Sequence, residues 1–140
     1  MAFKRKHVEK WLAAEYPDEK LVSMVLTGIW SANYSGPSGN LGSGSRDPGD
    51  NRRLELVRSL GLDQDLMVGA GYSTTFYALT EGQILLGTRS ALMNRPKDVL
   101  HAAPLEGLMV HWFDDTEGPN RARHFVTVFG DGRWRADKTG

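Results

Sequence analysis

Residues 74–88 read TTFYALTEGQILLGT, which is two apolar runs separated by a Thr-Glu-Gly turn. Gly82 can take the left-handed backbone conformation that a short hairpin loop with a bulge requires. The stretch therefore predicts two antiparallel strands, 74–79 and 83–89. The same pattern recurs in residues 123–137, where Gly130-Asp131-Gly132 provides the turn between two further strands, 123–129 and 133–137.

Three more strands are predicted around these two hairpins. Residues 21–30 form an apolar run whose length and β-branched content favour a buried strand. Residues 98–103 and 107–113 form two others, with a corner at Pro104 because proline cannot donate to a sheet ladder. The sequence thus predicts a mainly β fold of seven antiparallel strands, six of them in a meander over residues 74–137.

Two helices and a long loop complete the predicted elements. Residues 4–16 carry apolar side chains at helical spacing and stop at Pro17, which predicts a structural helix packed on the sheet; their cations leave a membrane-surface helix as the alternative. Residues 51–60 form a second helix after the capping residue Asp50. Residues 31–50 are rich in glycine and serine and can bury little apolar surface. Because that burial would not compensate for the conformational entropy lost on ordering, we expect a mobile loop.

Length and composition limit the class of protein. The 140 residues suit a single domain, 1–140, with one core. Seventeen basic and seventeen acidic residues give no net field to attract nucleic acid or membranes. The absence of cysteine excludes disulfides and thiolate metal sites and favours a cytoplasmic protein. The apolar run 21–30 is about half of the roughly 20 residues that a membrane-spanning helix needs, so no integral membrane segment is expected.

Part of the chain resembles a known family. The hairpin ALTEGQILLG at 78–87, the strand beginning at Asp98 and the turn at 129–132 are similar to bacterial pleckstrin-homology-like and GRAM-type domains over residues 75–137. The resemblance implies a seven-stranded, partly open barrel or roll of two sheets, with an N-terminal helix and a helical insertion between strands 1 and 2. In that family a C-terminal helix covers one barrel end. No counterpart precedes Gly140, so we expect the N-terminal helix or a second copy of the chain to cover it.

A candidate ligand site lies on the last hairpin. Arg133 and Arg135 share a face if the strand alternates regularly, and Arg123 could lie near them. Arginine suits phosphate or carboxylate capture and Trp134 permits base stacking, so an anionic lipid head group or a nucleic acid is a possible ligand. A solvated strand face is the simpler interpretation. The loop before the strand at 98 adds two more cations to the candidate ligand residues, namely Arg95 and Lys97.

Two histidines form a weak candidate metal site. If the hairpin over residues 107–129 pairs symmetrically about its loop, His111 lies opposite His124, where two imidazoles could bind zinc. Because two ligands do not complete a site, solvated histidines are the simpler interpretation. No cofactor is expected, and none of the common hydrolase, zinc-protease or cysteine-nucleophile motifs occurs in the sequence.

These patterns favour a non-catalytic cytosolic module that binds a protein partner or assembles with itself as a homo-oligomer. One alternative is an anionic-ligand domain, whose binding would weaken steeply with salt. The second alternative is a small metal-dependent enzyme built around His111 and His124.

Overall fold

The computed structural model of the protein describes residues 3–28, 48–72, 74–90, 92–115 and 122–139. These residues form two α-helices and seven strands, with a short 3₁₀ turn at Gln64–Leu66. In chain order the elements are α1 (Arg5–Glu15), β1 (Ser23–Gly28), α2 (Pro48–Ser59), β2 (Thr74–Leu79), β3 (Gln83–Arg89), β4 (Pro96–Pro104), β5 (Met109–Asp114), β6 (Arg123–Val128) and β7 (Trp134–Lys138).

All seven strands belong to one antiparallel sheet in the order β4-β3-β2-β1-β7-β6-β5. The mainly β fold and the seven antiparallel strands are therefore confirmed. The sheet is single rather than divided in two, because β1 and β7 are joined through Gly28 and Lys138. Within the described chain, β4 and β5 do not pair with each other, so the sheet is open and these two strands form its edges.

The turn between β2 and β3 is closed by a side chain rather than by glycine. Gly82 is not among the described residues with positive φ, so its predicted left-handed conformation is wrong. Instead, the Thr80 hydroxyl accepts hydrogen bonds from the backbone N–H groups of Gly82 and Gln83 at 3.3 and 3.0 Å. Threonine commonly stabilises turns in this way.

Both helices pack on the same face of the sheet, here called the outer face. Val8 and Leu12 of α1 contact Phe76 and its neighbours on β2 and β3. Leu54 and Val57 of α2 pack on β6 and β7. Helix α1 therefore covers the outer face of the sheet, which corrects the expectation that it closes a barrel end. None of the described helices is long and apolar enough to cross a membrane.

A third apolar cluster lies on the opposite, inner face. Side chains alternate between faces along a strand, so Tyr77 points inward while its neighbours Phe76 and Ala78 point outward. The inner cluster is formed by Val68, Tyr77, Ile84, Leu86, Ala103 and Phe129.

The long connection between β1 and β2 differs from its prediction at one end. Most of the loop predicted for 31–50 lies outside the described residues. Its last three residues form the first turn of α2, which begins at Pro48. Proline is favoured in the first turn of a helix because its missing N–H would have no partner there. Gly61, at φ 64°, follows the helix as a typical C-terminal glycine.

Candidate functional site

The two edges of the sheet differ in how they are protected. Strand β4 has proline at both ends, Pro96 and Pro104, and its pairing with β3 shifts register around Gly87. Helix α1 also reaches this edge, where the Trp11 indole N–H donates to the Lys97 carbonyl at 3.3 Å. Prolines, register shifts and covering elements all hinder the addition of another strand.

Strand β5 has none of these protections in the described structure. Its sequence, MVHWFD, contains neither proline nor lysine. Met109, Val110 and Trp112 are 57, 45 and 56% exposed, which is unusual for large apolar side chains on a single short strand. We call this surface, formed by the unpaired side of Met109–Asp114, the β5 edge.

The backbone of the β5 edge directs hydrogen-bonding groups away from the sheet, and none of the described strands pairs with them. The Asp115 N–H donates to the Ala122 carbonyl at 2.8 Å, so Asp115 directs its backbone polar groups toward β6. Because this direction alternates along an antiparallel strand, Val110, Trp112 and Asp114 direct theirs toward the free edge. Side chains also alternate between faces along a strand, and the pairings across the sheet place those of these three residues on the same face as Tyr77, the inner face.

Contacts with β6 hold the far end of the β5 edge in place. Arg123 donates to both carboxylate oxygens of Asp114, with Nε–Oδ1 and Nη2–Oδ2 distances of 2.7 and 3.2 Å. These hydrogen bonds keep the pKa of the Asp114 carboxyl below its ordinary value. The guanidinium also lies 4.3 Å from the centre of the Trp112 ring, a cation–π contact. Trp112 is thus exposed but oriented.

The predicted ligand patch on the last hairpin is not assembled. Arg133 is exposed beside the β6–β7 turn, whereas Arg123 lies at the other end of β6, opposite Asp114. Trp134 and Arg135 are fully buried. Trp134 packs under α2 on the outer face and donates its indole N–H to the Asp63 carbonyl at 2.6 Å. Neither of the two buried residues is available to a ligand.

Arg135 is engaged entirely inside the protein. Its Nε donates to Asp137 at 3.0 Å, forming a fully buried ion pair. Its Nη1 donates to the carbonyls of Val68 and Gly69 at 3.2 and 2.8 Å. Its Nη2 donates to the Tyr72 carbonyl and the Thr75 hydroxyl at 3.0 and 3.1 Å. Since a guanidinium has five N–H donors, none remains for an external anion.

The predicted pairing of the two histidines is also wrong. His111 lies opposite Val126, and His124 lies opposite Phe113, two residues further along β5. No group of three or more histidine or acidic side chains suited to a metal ion occurs among the described residues. His124 is instead buried, stacked on Phe113 with ring centres 4.8 Å apart. Burial, with the nearby charge of Arg53, lowers the pKa of His124 to about 4.

The other predicted cations lie on a different surface. Arg95 and Lys97 are exposed at the start of β4, close to α1, and the charge of Arg95 contributes with burial to a lowered pKa at His7. They adjoin exposed cations of α1 and of the residue just before it, since cations from both segments act on His7. None of these five residues forms an ion pair with another described residue. We call this set the basic surface: Lys4, Lys6, Lys10, Arg95 and Lys97.

The sequence interpretation missed the β5 edge. The relevant pattern was the pair of apolar residues at 110 and 112, which lie on one face of a strand. That strand also contains no proline or lysine. That pattern alone predicts a half-buried strand, and exposure became visible only when the strand order made β5 an edge.

Comparisons with known proteins add no relatives: no protein-family model, no curated protein and no solved structure matches the chain.

Proposed function

We propose that this protein is a non-catalytic cytosolic binding and assembly module, of pleckstrin-homology-like type, that associates with a second copy of itself through the β5 edge. One observation carries the proposal. The edge strand β5 has both exposed apolar side chains and backbone groups directed away from the sheet. The free groups belong to Val110, Trp112 and Asp114.

Strand addition would satisfy both features together. Backbone hydrogen bonds between edges provide affinity, and alternate side chains provide specificity. An unprotected apolar edge is otherwise a liability that promotes aggregation, which is why edges are normally blocked as β4 is. The contrast between the two edges supports a role for β5.

The overall charge of the chain permits contact between copies. With 17 basic and 17 acidic residues, two molecules carry no net repulsion at neutral pH. A net charge near zero favours association rather than opposing it.

The test is the solution mass of the full chain by light scattering over a range of concentration and salt. We expect a concentration-dependent oligomer that persists at high salt, because the proposed contact is apolar and hydrogen-bonded. Val110→Lys places a solvated charge on the edge and is expected to give a monomer. Leu92→Lys is the matched control, since Leu92 is 87% exposed on the loop between β3 and β4, and it should retain the wild-type mass.

Either of two results would overturn the proposal. A wild-type chain that remains monomeric at the highest concentration reached would exclude self-association. A Val110→Lys variant with the same oligomeric mass as the wild type would exclude the β5 edge as the contact.

A second candidate function is binding of anionic lipid head groups at the basic surface. Leu92 and Met93 are exposed beside Arg95 and Lys97, and apolar side chains flanked by cations suit the interface of an anionic bilayer. The probe is co-sedimentation with vesicles of neutral phospholipid with and without anionic phospholipid. Binding that requires the anionic lipid and is lost in Arg95→Glu/Lys97→Glu would support this function, and equal sedimentation with both vesicles would refute it.

A further inference from the structure

We propose that two copies join their β5 strands antiparallel about a two-fold axis at His111, so that Val110 of each copy lies opposite Trp112 of the other. This inference rests on the proposed function and specifies its geometry. It follows from which backbone groups are free and which side chains would then face each other.

The free backbone groups restrict the possible registers. In an antiparallel pair, residues that exchange hydrogen bonds must both direct their backbone toward the partner strand. On the β5 edge these are Val110, Trp112 and Asp114, as the Asp115–Ala122 hydrogen bond fixes the alternation. A symmetric dimer must therefore pair these even-numbered residues with one another.

Side-chain chemistry selects one register among those that remain. Placing Trp112 opposite Trp112 would set Val110 against Asp114, a carboxylate already held by Arg123. Placing Val110 opposite Val110 would bring Trp112 against Leu108, whose backbone N–H is already donated to the Leu105 carbonyl. The register with Val110 opposite Trp112 sets Asp114 against Leu108 instead, at the two outer ends of the contact, and keeps apolar side chains in both of its central pairs.

The selected register also makes the more favourable contacts. Its two Val–Trp pairs are β-branched–aromatic cross-strand pairs, which stabilise antiparallel sheets. Each pair exchanges two backbone hydrogen bonds. On the outer face, Met109 of one copy lies opposite Phe113 of the other, where a thioether contacts an aromatic ring favourably.

The two-fold axis then brings the two copies of His111 face to face. They would form a non-hydrogen-bonded pair, with Cα atoms about 4.5 Å apart. That separation lies within the range that a disulfide spans. Cysteine at position 111 would therefore report the register directly, and the wild-type chain contains no cysteine to complicate the result.

The experiment compares single-cysteine variants of the full chain after mild oxidation, on non-reducing gels. His111→Cys is expected to convert to covalent dimer faster and more completely than Val110→Cys or Trp112→Cys, which report the symmetric registers centred on Val110 and on Trp112. Leu92→Cys, on an exposed loop away from β5, measures random collision.

The outcomes separate this inference from the proposed function. Preferential cross-linking at position 110 or 112 would overturn the register while leaving assembly through β5 standing. If no cysteine cross-links faster than Leu92→Cys, yet the wild type is an oligomer that Val110→Lys dissociates, the symmetric pairing is wrong. If the wild type is also monomeric by light scattering, the proposed function fails as well.

Discussion

Arg53 and His124 are in direct contact beneath helix α2, with Nη1 of the guanidinium 2.7 Å from Nδ1 of the imidazole. Both side chains are fully buried. A guanidinium can only donate hydrogen bonds, so Nδ1 must accept and the imidazole must be neutral. Arg53 also donates to Asp50 at 3.0 Å, and Asp50 accepts from Lys138 of β7 at 2.9 Å. Polar contacts thus fix the start of α2 to the last two strands.

The neutral state of His124 predicts that acid destabilises the fold. The unfolded chain binds this proton with an ordinary pKa near 6.5, whereas the pKa of His124 in the folded chain is about 4. Between these values the unfolded state holds more protons, so the free energy of unfolding falls as the pH is lowered from about 6.5 to about 4. A shift of this size corresponds to roughly 3 kcal/mol. Urea denaturation at a series of pH values measures it.

His124→Asn is the control for this pH dependence. Its side-chain oxygen can accept from Arg53 as Nδ1 does, but it does not titrate. We expect the variant to lose less stability than the wild type between pH 6.5 and 4.5, whatever its stability at neutral pH. Parallel losses in the two proteins would show that His124 is not the titrating group.

The buried position of Arg135 predicts a large loss of stability in Arg135→Met. The substitution keeps an apolar stem but leaves Asp137 buried without its cation and removes the donors to three backbone carbonyls. Breaking a buried ion pair from one side costs about 3–5 kcal/mol. Thermal or urea unfolding checks this.

Arg133→Met is the matched control, because the Arg133 side chain is 52% exposed two residues away. It should change the free energy of unfolding by no more than about 0.5 kcal/mol. Equal effects of the two substitutions would contradict the assignment of Arg135 as a structural residue.

The close approach of Phe76 to Gly87 predicts that Gly87→Ala destabilises the protein. A Cβ at position 87 would lie 2.5 Å from two atoms of the Phe76 ring. The ring is held between Phe3 and Trp11, each with its ring centre 5.2 Å away, so it has little room to move. Overpacking of this kind costs about 1–3 kcal/mol. Gly82→Ala, where a Cβ meets nothing within 4 Å, should have a much smaller effect on the melting temperature.

Local patterns were sufficient to predict the strands. The β2 and β3 ranges, 74–79 and 83–89, could be read from apolar runs on either side of a short turn, because hairpin pairing depends on neighbouring residues. The start of α2 was placed too late because Asp50 was taken as the cap. Pro48 opens the helix instead, and the Asp50 carboxylate is used by Arg53 and Lys138.

The exposure and the partners of the site residues depend on contacts between distant parts of the chain, which local sequence patterns do not predict. An arginine on a strand is usually exposed, and the carbonyls that accept from Arg135 lie 63 to 67 residues earlier in the chain. The register of β5 with β6 was misjudged because hairpin symmetry was assumed about a long loop, where loop length does not fix the pairing. The exposure of Trp112 depends on the strand order, which no local segment specifies.

The hydrogen bonds of Arg135 bear on how this protein can diverge during evolution. The segment from Val68 to Tyr72 is tied to the sheet through carbonyls that all meet one side chain. If position 135 became apolar, the Asp137 carboxylate and the carbonyls of this segment would be buried without hydrogen-bond partners. Loss of the charge at 137 and a change in this segment would therefore have to accompany that substitution. Position 135, position 137 and the length of the connection from α2 to β2 should therefore vary together among descendants of this sequence.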